Sequence, residues 1–489
     1  MITAQMVEQH NRPPTTTPLA VDLDRTLLVT DTLVEQFLGA AFRSPWQAVK
    51  ALVRLRAGRA SFKRAVLQGS TIDPGSFLFN QELVAYLRKQ KQAGRALHLV
   101  TAADQGTADL VVRNMDIFDS VTGSSPPRNL KGQHKLAYLE KRFPDGFSYA
   151  GDSPADLAIW KKANSAVLVG VSQSTRTAFS KLGCPVEHEI DRPAVGLRDW
   201  LKLLRIHQWS KNILLLVPLI LGQAFFQPHA LIAVAVGFVA MGLVASGTYV
   251  INDISDIAAD RTHQTKKTRP IARGSIDAGK AFCMALVLIL LGFLVMATQS
   301  LPATEWLMVY LAGTLSYSLV FKCLPMIDVF ILGGLYTLRI VIGVCLAEEQ
   351  LSHWLLMFSF FFFFALSMAK RHVEITKAAA RPGSGVEIKG RGYRTTDAPL
   401  TLTMGVSTNL VAILVLSLYV ASDIYPRPFY NHPQWLWAAV ILVMMWSSRI
   451  WLLSQRGELD DDPISFAIHD RISLLIGVAT CLVFVLSMI

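Results

Sequence analysis

Apolar positions divide the chain near residue 205. Upstream, short apolar runs such as "PLAVDL" (18–23), "ALHLV" (96–100) and "GFSYAG" (146–151) alternate with longer polar stretches, as in a soluble α/β domain. Downstream come nine nearly uninterrupted apolar stretches: 213–228, 230–251, 281–299, 303–321, 327–346, 352–369, 400–421, 434–454 and 472–489. Each is close to the ~20 residues that a helix needs to cross a bilayer. The pattern predicts an α/β domain followed by an all-α bundle of nine transmembrane helices.

Charge orients that bundle. Loops 252–280, 322–326, 370–398 and 455–471 carry Arg and Lys, whereas the links "QPH", "SLPATE", "AEEQLSH" and "SDIYPRPFYNHPQ" are nearly free of them. Basic loops stay in the cytoplasm, so the N-terminal domain is expected there and the C-terminus on the opposite side. Composition agrees: 52% apolar residues are too many for an ordinary soluble enzyme of 489 residues. The net charge of +11 follows from the basic loops and an anionic ligand, with no need for nucleic acid. Residues 1–15 lack the apolar core of a signal peptide and read as a disordered tail. The five cysteines form no CxxC pair and read as packing residues, with no disulfide or zinc role.

At the cytoplasmic end of the second stretch, "VINDISDIAADRTHQTKKTRP" (250–270) places Asp253, Asp256 and Asp260 within eight positions. On one helix they share an arc of about 60°. A solvated helix end is the plain alternative, but it does not account for the cations that follow, His263, Lys266, Lys267, Arg269 and Arg273. Acids on one face followed by cations suit magnesium bridging a diphosphate, with the cations on its outer oxygens. Further on, Arg339 sits among apolar residues and needs an anion. Two partners are open: Asp328, about three turns away on the same face, or a substrate phosphate.

The run Asn252-Asp253-x-x-Asp256-x-x-x-Asp260, with Lys266 and Arg269-Pro270 downstream, resembles the first aspartate-rich motif of the UbiA superfamily of intramembrane prenyltransferases. Members that prenylate aromatic rings carry a second acid cluster after the fifth span. The equivalent "PMIDVFILGGLYTLRIVIGV" here offers only Asp328. With "HQWSKN" (207–212), "AKRHVE" (369–374) and Asp470-Arg471, this resembles the decaprenyl-phosphate phosphoribosyltransferase branch. The resemblance implies a bacterial inner-membrane enzyme with phosphoribosyl pyrophosphate as donor, a polyprenyl phosphate as acceptor and Mg2+ as cofactor, and is compatible with a homo-oligomer. It places Asn252, Asp253, Asp256 and Asp260 on the magnesium pyrophosphate, and Lys266 and Arg269 on phosphate oxygens. Lys211, Arg339, Lys370 and Arg371 would serve the lipid phosphate or the donor's 5-phosphate, with Asp328 also in the substrate site.

In the first domain, "PLAVDLDRTLL" ends a strand in Asp22 and Asp24, "ALHLVTAAD" ends one in Thr101, "GQHKLAYLEKRF" opens a helix with Lys135, and "GFSYAGDSPADLAIW" ends in Asp152 and Asp156. Singly these are weak, since a strand-end Asp is often a helix cap. Their order resembles the haloacid dehalogenase (HAD) superfamily of phosphohydrolases, a Rossmann-like fold with a helical cap over residues 30 to 90. The resemblance implies Asp22 as nucleophile, Asp24 as acid and base, Thr101 and Lys135 as phosphate holders, and magnesium near Asp22, Asp24, Asp152 and Asp156. Lys131 is an alternative to Lys135, and Arg25 stands where glycine is usual. The expected division is a phosphatase domain over 16–195 and a transferase domain over 196–489, acting in sequence on one lipid. The alternatives are an aromatic polyprenyltransferase with an unrelated or regulatory HAD domain, and a membrane-anchored module with an inactive one.

Overall fold

The structure is a computed structural model that describes residues 17–70, 74–113, 115–380, 387–388, 390–425, 430–459 and 463–489. The expected disordered tail, and parts of the 370–398 and 455–471 loops, lie outside the described residues. The chain forms two compact units. One runs to Leu204 and includes Asp253–Met284; the other comprises Arg205–Asn252 and Ala285–Ile489. Asp253–Met284, which the sequence places within the bundle, is thus compact with the first unit.

The first unit is built on six parallel strands, β1 (Leu19–Val21), β2 (Leu97–Asp104), β3 (Ser120–Ser124), β4 (Ser148–Gly151), β5 (Ser165–Val169) and β6 (Val186–Ile190), in the order β3-β2-β1-β4-β5-β6. β1 and β4 are buried along their whole length, as expected for a parallel sheet covered on both faces, and hence read as continuous apolar runs. Val21 pairs with Leu99 on one side and Ala150 on the other. Successive strands run outward from β1 in one direction and then, from β4, in the other. That reversal opens a crevice at the carboxyl ends of β1 and β4, the usual ligand position in such sheets. Between β1 and β2 the chain forms helices Thr32–Arg43, Pro45–Val53, Arg59–Gly69 and Gln81–Gln92.

Asp253–Met284 packs against this unit through Ile271, Ala272 and Ile276, all buried. Gly274 has φ +73, and a Cβ there would meet Leu78 Cδ2 and Val29 Cγ1 at 2.8 Å, so contact this close requires glycine. Arg261 anchors the segment. Its guanidinium reaches both carboxylate oxygens of Glu35 at 3.0 and 2.6 Å, and donates to the carbonyls of Ser76 and Ala272.

In the second unit, among the described residues, seven helices are long and apolar enough to cross a membrane: Pro228–Ser255, Ala278–Ala297, Ile327–Ala347, His353–Ala379, Thr395–Ile424, Pro433–Arg456 and Arg471–Met488. The ends of the first two, from Asp253 and up to Met284, fall within the first unit. Of the other two expected stretches, Leu301–Leu319 is helical over 19 residues. Over the other, residues 213–228, the 3-10 helix Ile206–Leu215 runs directly into α-helix Leu216–Leu221, and an extended Gly222 separates these from the short helix Gln223–Phe226. A core of Phe363, Phe364, Met368, Val373, Ile450 and Trp451 joins the later helices.

Replacing Arg261 with Ala leaves Glu35 half-buried without its partner, which costs about 3 kcal/mol. The expected result is faster proteolysis of the exposed turn around Lys266 in the full-length protein, and wild-type cleavage rates would show that the ion pair does not hold the segment.

Candidate active sites

Asp22 ends β1. Its Oδ1 accepts from the Leu23 amide at 2.8 Å, and its Oδ2 meets Lys135 Nζ at 2.9 Å. Lys135 is buried and also donates to Tyr149 Oη at 2.9 Å, while Tyr149 donates to Asp156 Oδ1 at 3.0 Å. Lys131 is exposed, so Lys135 is the lysine in this chain of contacts. Asp156 is further fixed by the Ser153 amide and hydroxyl at 3.1 and 2.9 Å. Asp22, Asp152 and Asp156 each bring a carboxylate oxygen within 4.8 Å of the other two. The order of strands explains this, since two acids from β4 and one from β1 flank the crevice.

Three carboxylates this close repel one another. Burial, then Asp22 and Asp156, push the Asp152 carboxyl up to about 7. A hard divalent cation accepts all-oxygen donors and relieves that repulsion, so the donor set fits magnesium. Asp24 stands apart from the group. Its Oδ1 accepts from the amide and hydroxyl of Thr32 at 2.8 and 2.7 Å, which turns the carboxylate toward the helix that follows. Burial, and after it Asp31, push its carboxyl up to about 7, where one group both gives and takes a proton at neutral pH. Thr101 is fully buried and accepts from the Ala103 amide at 3.0 Å.

Two features of this site were not evident from sequence. Lys63, on helix Arg59–Gly69, donates to the carbonyl of Ala102 at the end of β2 and to Asn129 Oδ1 at 2.9 Å. Burial holds its ammonium below the usual lysine range. In sequence it is one lysine among many cations, and only the folding back of the helix brings it here. Arg25 adopts φ 57, a conformation that costs a non-glycine residue about 1 kcal/mol or more. Contacts from Asp277 at 2.9 Å to its guanidinium, and from Arg192 to its carbonyl, hold it there.

The aspartate stretch differs from the expected single helix face. Helix Pro228–Ser255 stops, Asp256 takes φ -99 and ψ 6, and a new helix covers Ile257–Thr262. Arg269 Nη1 bridges Asp253 at 3.1 Å and Asp260 at 2.7 Å. Asp253 and Asp260 are buried, Asn252 and Asp256 half-buried, and Lys266 exposed. Burial raises the Asp260 carboxyl, opposed by Arg269. Across the helix break, Asp253 and Asp260 still meet at one nitrogen of Arg269.

In the second unit, Asp328 and Arg339 do not pair with each other. Asp328 is fully buried and accepts from Arg371 Nε at 2.6 Å and Tyr393 Oη at 2.8 Å. Arg371 also meets Glu374 at 2.6 Å and Tyr317 Oη at 2.9 Å. A second carboxylate one turn along the same helix thus completes a buried pair that spacing along the helix of Asp328 could not reveal. Arg339 is buried, donates to Tyr310 Oη at 2.8 Å, the Leu335 carbonyl at 2.9 Å and Asn212 Oδ1 at 3.4 Å, and packs against the rings of Tyr310 and Tyr336. Among the described residues no carboxylate forms an ion pair with it. Lys211 lies over the same Tyr336 ring at 5.9 Å. Lys370 is half-buried beside Arg371.

The family model of the UbiA prenyltransferase family matches residues 215–475. The chain is 41% identical over 474 residues, 96% of its own length and 91% of the other, to "Uncharacterized protein y4nM" of Sinorhizobium fredii. It is 28% identical to the decaprenyl-phosphate phosphoribosyltransferase of Mycobacterium tuberculosis, covering 59% of this chain and 93% of that one. A solved structure of a UbiA homolog from Archaeoglobus fulgidus bound to GPP and Mg2+ matches 59% of this chain and 98% of its own, at 15% identity and a TM-score of 0.42, a likeness too distant to carry an argument.

The raised Asp152 carboxyl gives a sign for metal binding. Below about 7 a proton occupies the group and competes with the cation; above it the carboxylate is free to bind. Mg2+ affinity of the Asp22, Asp152 and Asp156 site, measured by calorimetry on the full-length protein and an Asp152→Asn control, is expected to tighten about tenfold from pH 6 to pH 8. The same affinity at both values would remove Asp152 from the site.

Proposed function

The chain belongs to the UbiA prenyltransferase family, and from that premise we propose that it transfers 5-phosphoribose from phosphoribosyl pyrophosphate to a polyprenyl phosphate, and that its N-terminal unit then removes the 5-phosphate. The observation that carries the first step is the state of Asp328. It is fully buried, bonded to Arg371 and Tyr393, and so already matched by a cation and a hydroxyl. One acidic stretch, Asp253 to Asp260, remains for a diphosphate, which favours this branch over an aromatic prenyltransferase with two acid clusters. The name of the M. tuberculosis relative points the same way.

Under this reading Asn252, Asp253, Asp256 and Asp260 would hold magnesium, which lowers the charge on the leaving pyrophosphate. Arg269 already neutralises Asp253 and Asp260. It would exchange these carboxylates for phosphate oxygens when the donor arrives, and Lys266, exposed nearby in sequence, would add a second cation. Arg339, buried without a carboxylate ion pair, and Lys211 share the Tyr336 ring and offer two positive charges to a phosphate. The acceptor phosphate oxygen attacks the anomeric carbon as pyrophosphate departs, with positioning and charge stabilisation supplying most of the rate.

For the second step, Asp22 attacks the 5-phosphate phosphorus and forms an aspartyl-phosphate, while Asp24 gives a proton to the departing ribose oxygen. Asp24 then takes a proton from the water that cleaves the aspartyl-phosphate, releasing inorganic phosphate. Lys135, bonded to Asp22, orients the nucleophile and balances phosphate charge. Asp22, Asp152 and Asp156 would hold the magnesium. This assignment rests on the four acids and the lysine at the strand reversal and on the resemblance of their order to the HAD superfamily.

Both steps lie on the cytoplasmic side of a nine-span bundle in this reading. A reporter fused after Ile489 should then read as extracytoplasmic, and a cytoplasmic signal there would require an even number of crossings.

Two variants separate the steps. Asp253→Ala should abolish pyrophosphate release from phosphoribosyl pyrophosphate and polyprenyl phosphate, while hydrolysis of a soluble sugar phosphate continues. Asp22→Asn should leave pyrophosphate release near the wild-type rate but yield a lipid product one phosphoryl group heavier by mass spectrometry. Identical lipid products from wild type and Asp22→Asn would mean that the N-terminal unit acts on a different ester.

A further inference from the structure

Helix Pro45–Val53 is inverted relative to an ordinary surface helix. Its buried positions are Ala48 and Ala51, while its large apolar side chains face outward. Trp46 is 67% exposed and Val53 57%, with Val49, Leu52 and Leu55 of the following turn also exposed. Single exposed apolar residues are ordinary, but five within ten positions are not. Between them stand Lys50, Arg54 and Arg56, all exposed, with Lys50 Nζ over the Trp46 ring at 5.7 Å. Gly58, with φ 98, turns the chain into helix Arg59–Gly69, so these residues form the tip of a helical hairpin. From Gln36 to Ile72 the sequence holds seven Arg and Lys and no Asp or Glu.

We propose that this hairpin tip docks onto the surface of a bilayer bearing anionic phospholipid headgroups, with Trp46, Val49, Leu52, Val53 and Leu55 in the interfacial layer and the flanking cations on lipid phosphates. The occupant follows from the charge and from the mixture. An unbroken run of cations repels a second copy of the same surface. A nucleic acid matches the cations but not the aliphatic side chains between them. An anionic membrane surface matches both, since interfacial segments combine Trp and Leu on one part with Lys and Arg on the rest. The bilayer is also covalently at hand, because the described residues of the same chain include seven helices long and apolar enough to span it. Helix Arg59–Gly69, the second arm of the hairpin, carries Lys63 to the Ala102 carbonyl and Asn129, so a docked tip fixes the arm that reaches the Asp22 crevice.

The test uses full-length protein in nanodiscs of phosphatidylcholine alone and of phosphatidylcholine with 30% phosphatidylglycerol, a composition on the order of an anionic leaflet. Amide hydrogen exchange is followed across residues 45–59. Exchange is expected to be about tenfold slower in the anionic discs, and the Arg54→Glu, Arg56→Glu double variant should lose that difference. Trp46→Ser with Leu52→Ser should lose protection in both discs. Equal exchange in the two membranes, or protection that persists in the double charge variant, overturns the proposal. Protection that follows the number of chains per disc also overturns it, in favour of contact between copies. The readout is structural and independent of either enzymatic step, so failure of the proposed reactions would leave it intact.

Discussion

Burying a carboxylate costs several kcal/mol unless cations and hydrogen-bond donors meet it, and three places where the described residues take acids out of water bear on function. Each is met differently. Asp22 has Lys135, with Tyr149 extending the contact to Asp156. Asp253 and Asp260 share Arg269. Asp328 has Arg371, which takes Glu374 as well. The differences decide what each place is able to do. Asp328 is satisfied entirely by protein groups and holds helices Ile327–Ala347 and His353–Ala379 together. Asp22, Asp152 and Asp156 crowd together around Lys135, and their oxygens form a donor set that fits a divalent cation.

The arginines show the complementary side. Arg371, with two carboxylates, is structural in character. Arg339 makes hydrogen bonds to a tyrosine hydroxyl, a carbonyl and an amide oxygen and lies over two aromatic rings, while its charge has no carboxylate ion pair among the described residues. Guanidinium groups stacked on tyrosine tolerate low-dielectric surroundings better than lysine does.

Compactness links the acidic stretch to the first unit. Asp260 lies next to Arg261, whose guanidinium is bound to Glu35, and Gly274 rests on Val29 and Leu78. Glu35 is on helix Thr32–Arg43, whose first residue holds Asp24 through two hydrogen bonds. A short path of ordered contacts therefore runs from the acidic stretch to a carboxyl of the β1 crevice.

Several features were legible in the sequence because they depend on local order alone. Apolar runs of bilayer length, strands ending in acids, and the spacing of Asp253, Asp256 and Asp260 need no folded partner to be seen. The α/β unit follows from such runs, as do the seven apolar helices of membrane-spanning length and the family. Tertiary structure decided what long-range contact decides. Sequence spacing made Asp328 and Arg339 candidates for one pair, but Arg371 from another helix reaches Asp328 first and neutralises it. Helical periodicity placed three acids on one face of one helix; the fold instead breaks the backbone at Asp256 and brings Arg269 back across nine residues to bridge Asp253 and Asp260. Spacing could not choose between Lys131 and Lys135; the turn into helix Gln133–Arg142 did, leaving one exposed and burying the other against Asp22. Periodicity reports which residues share a face, whereas the partner of a buried charge is set by whichever opposite charge the fold brings within about 3 Å.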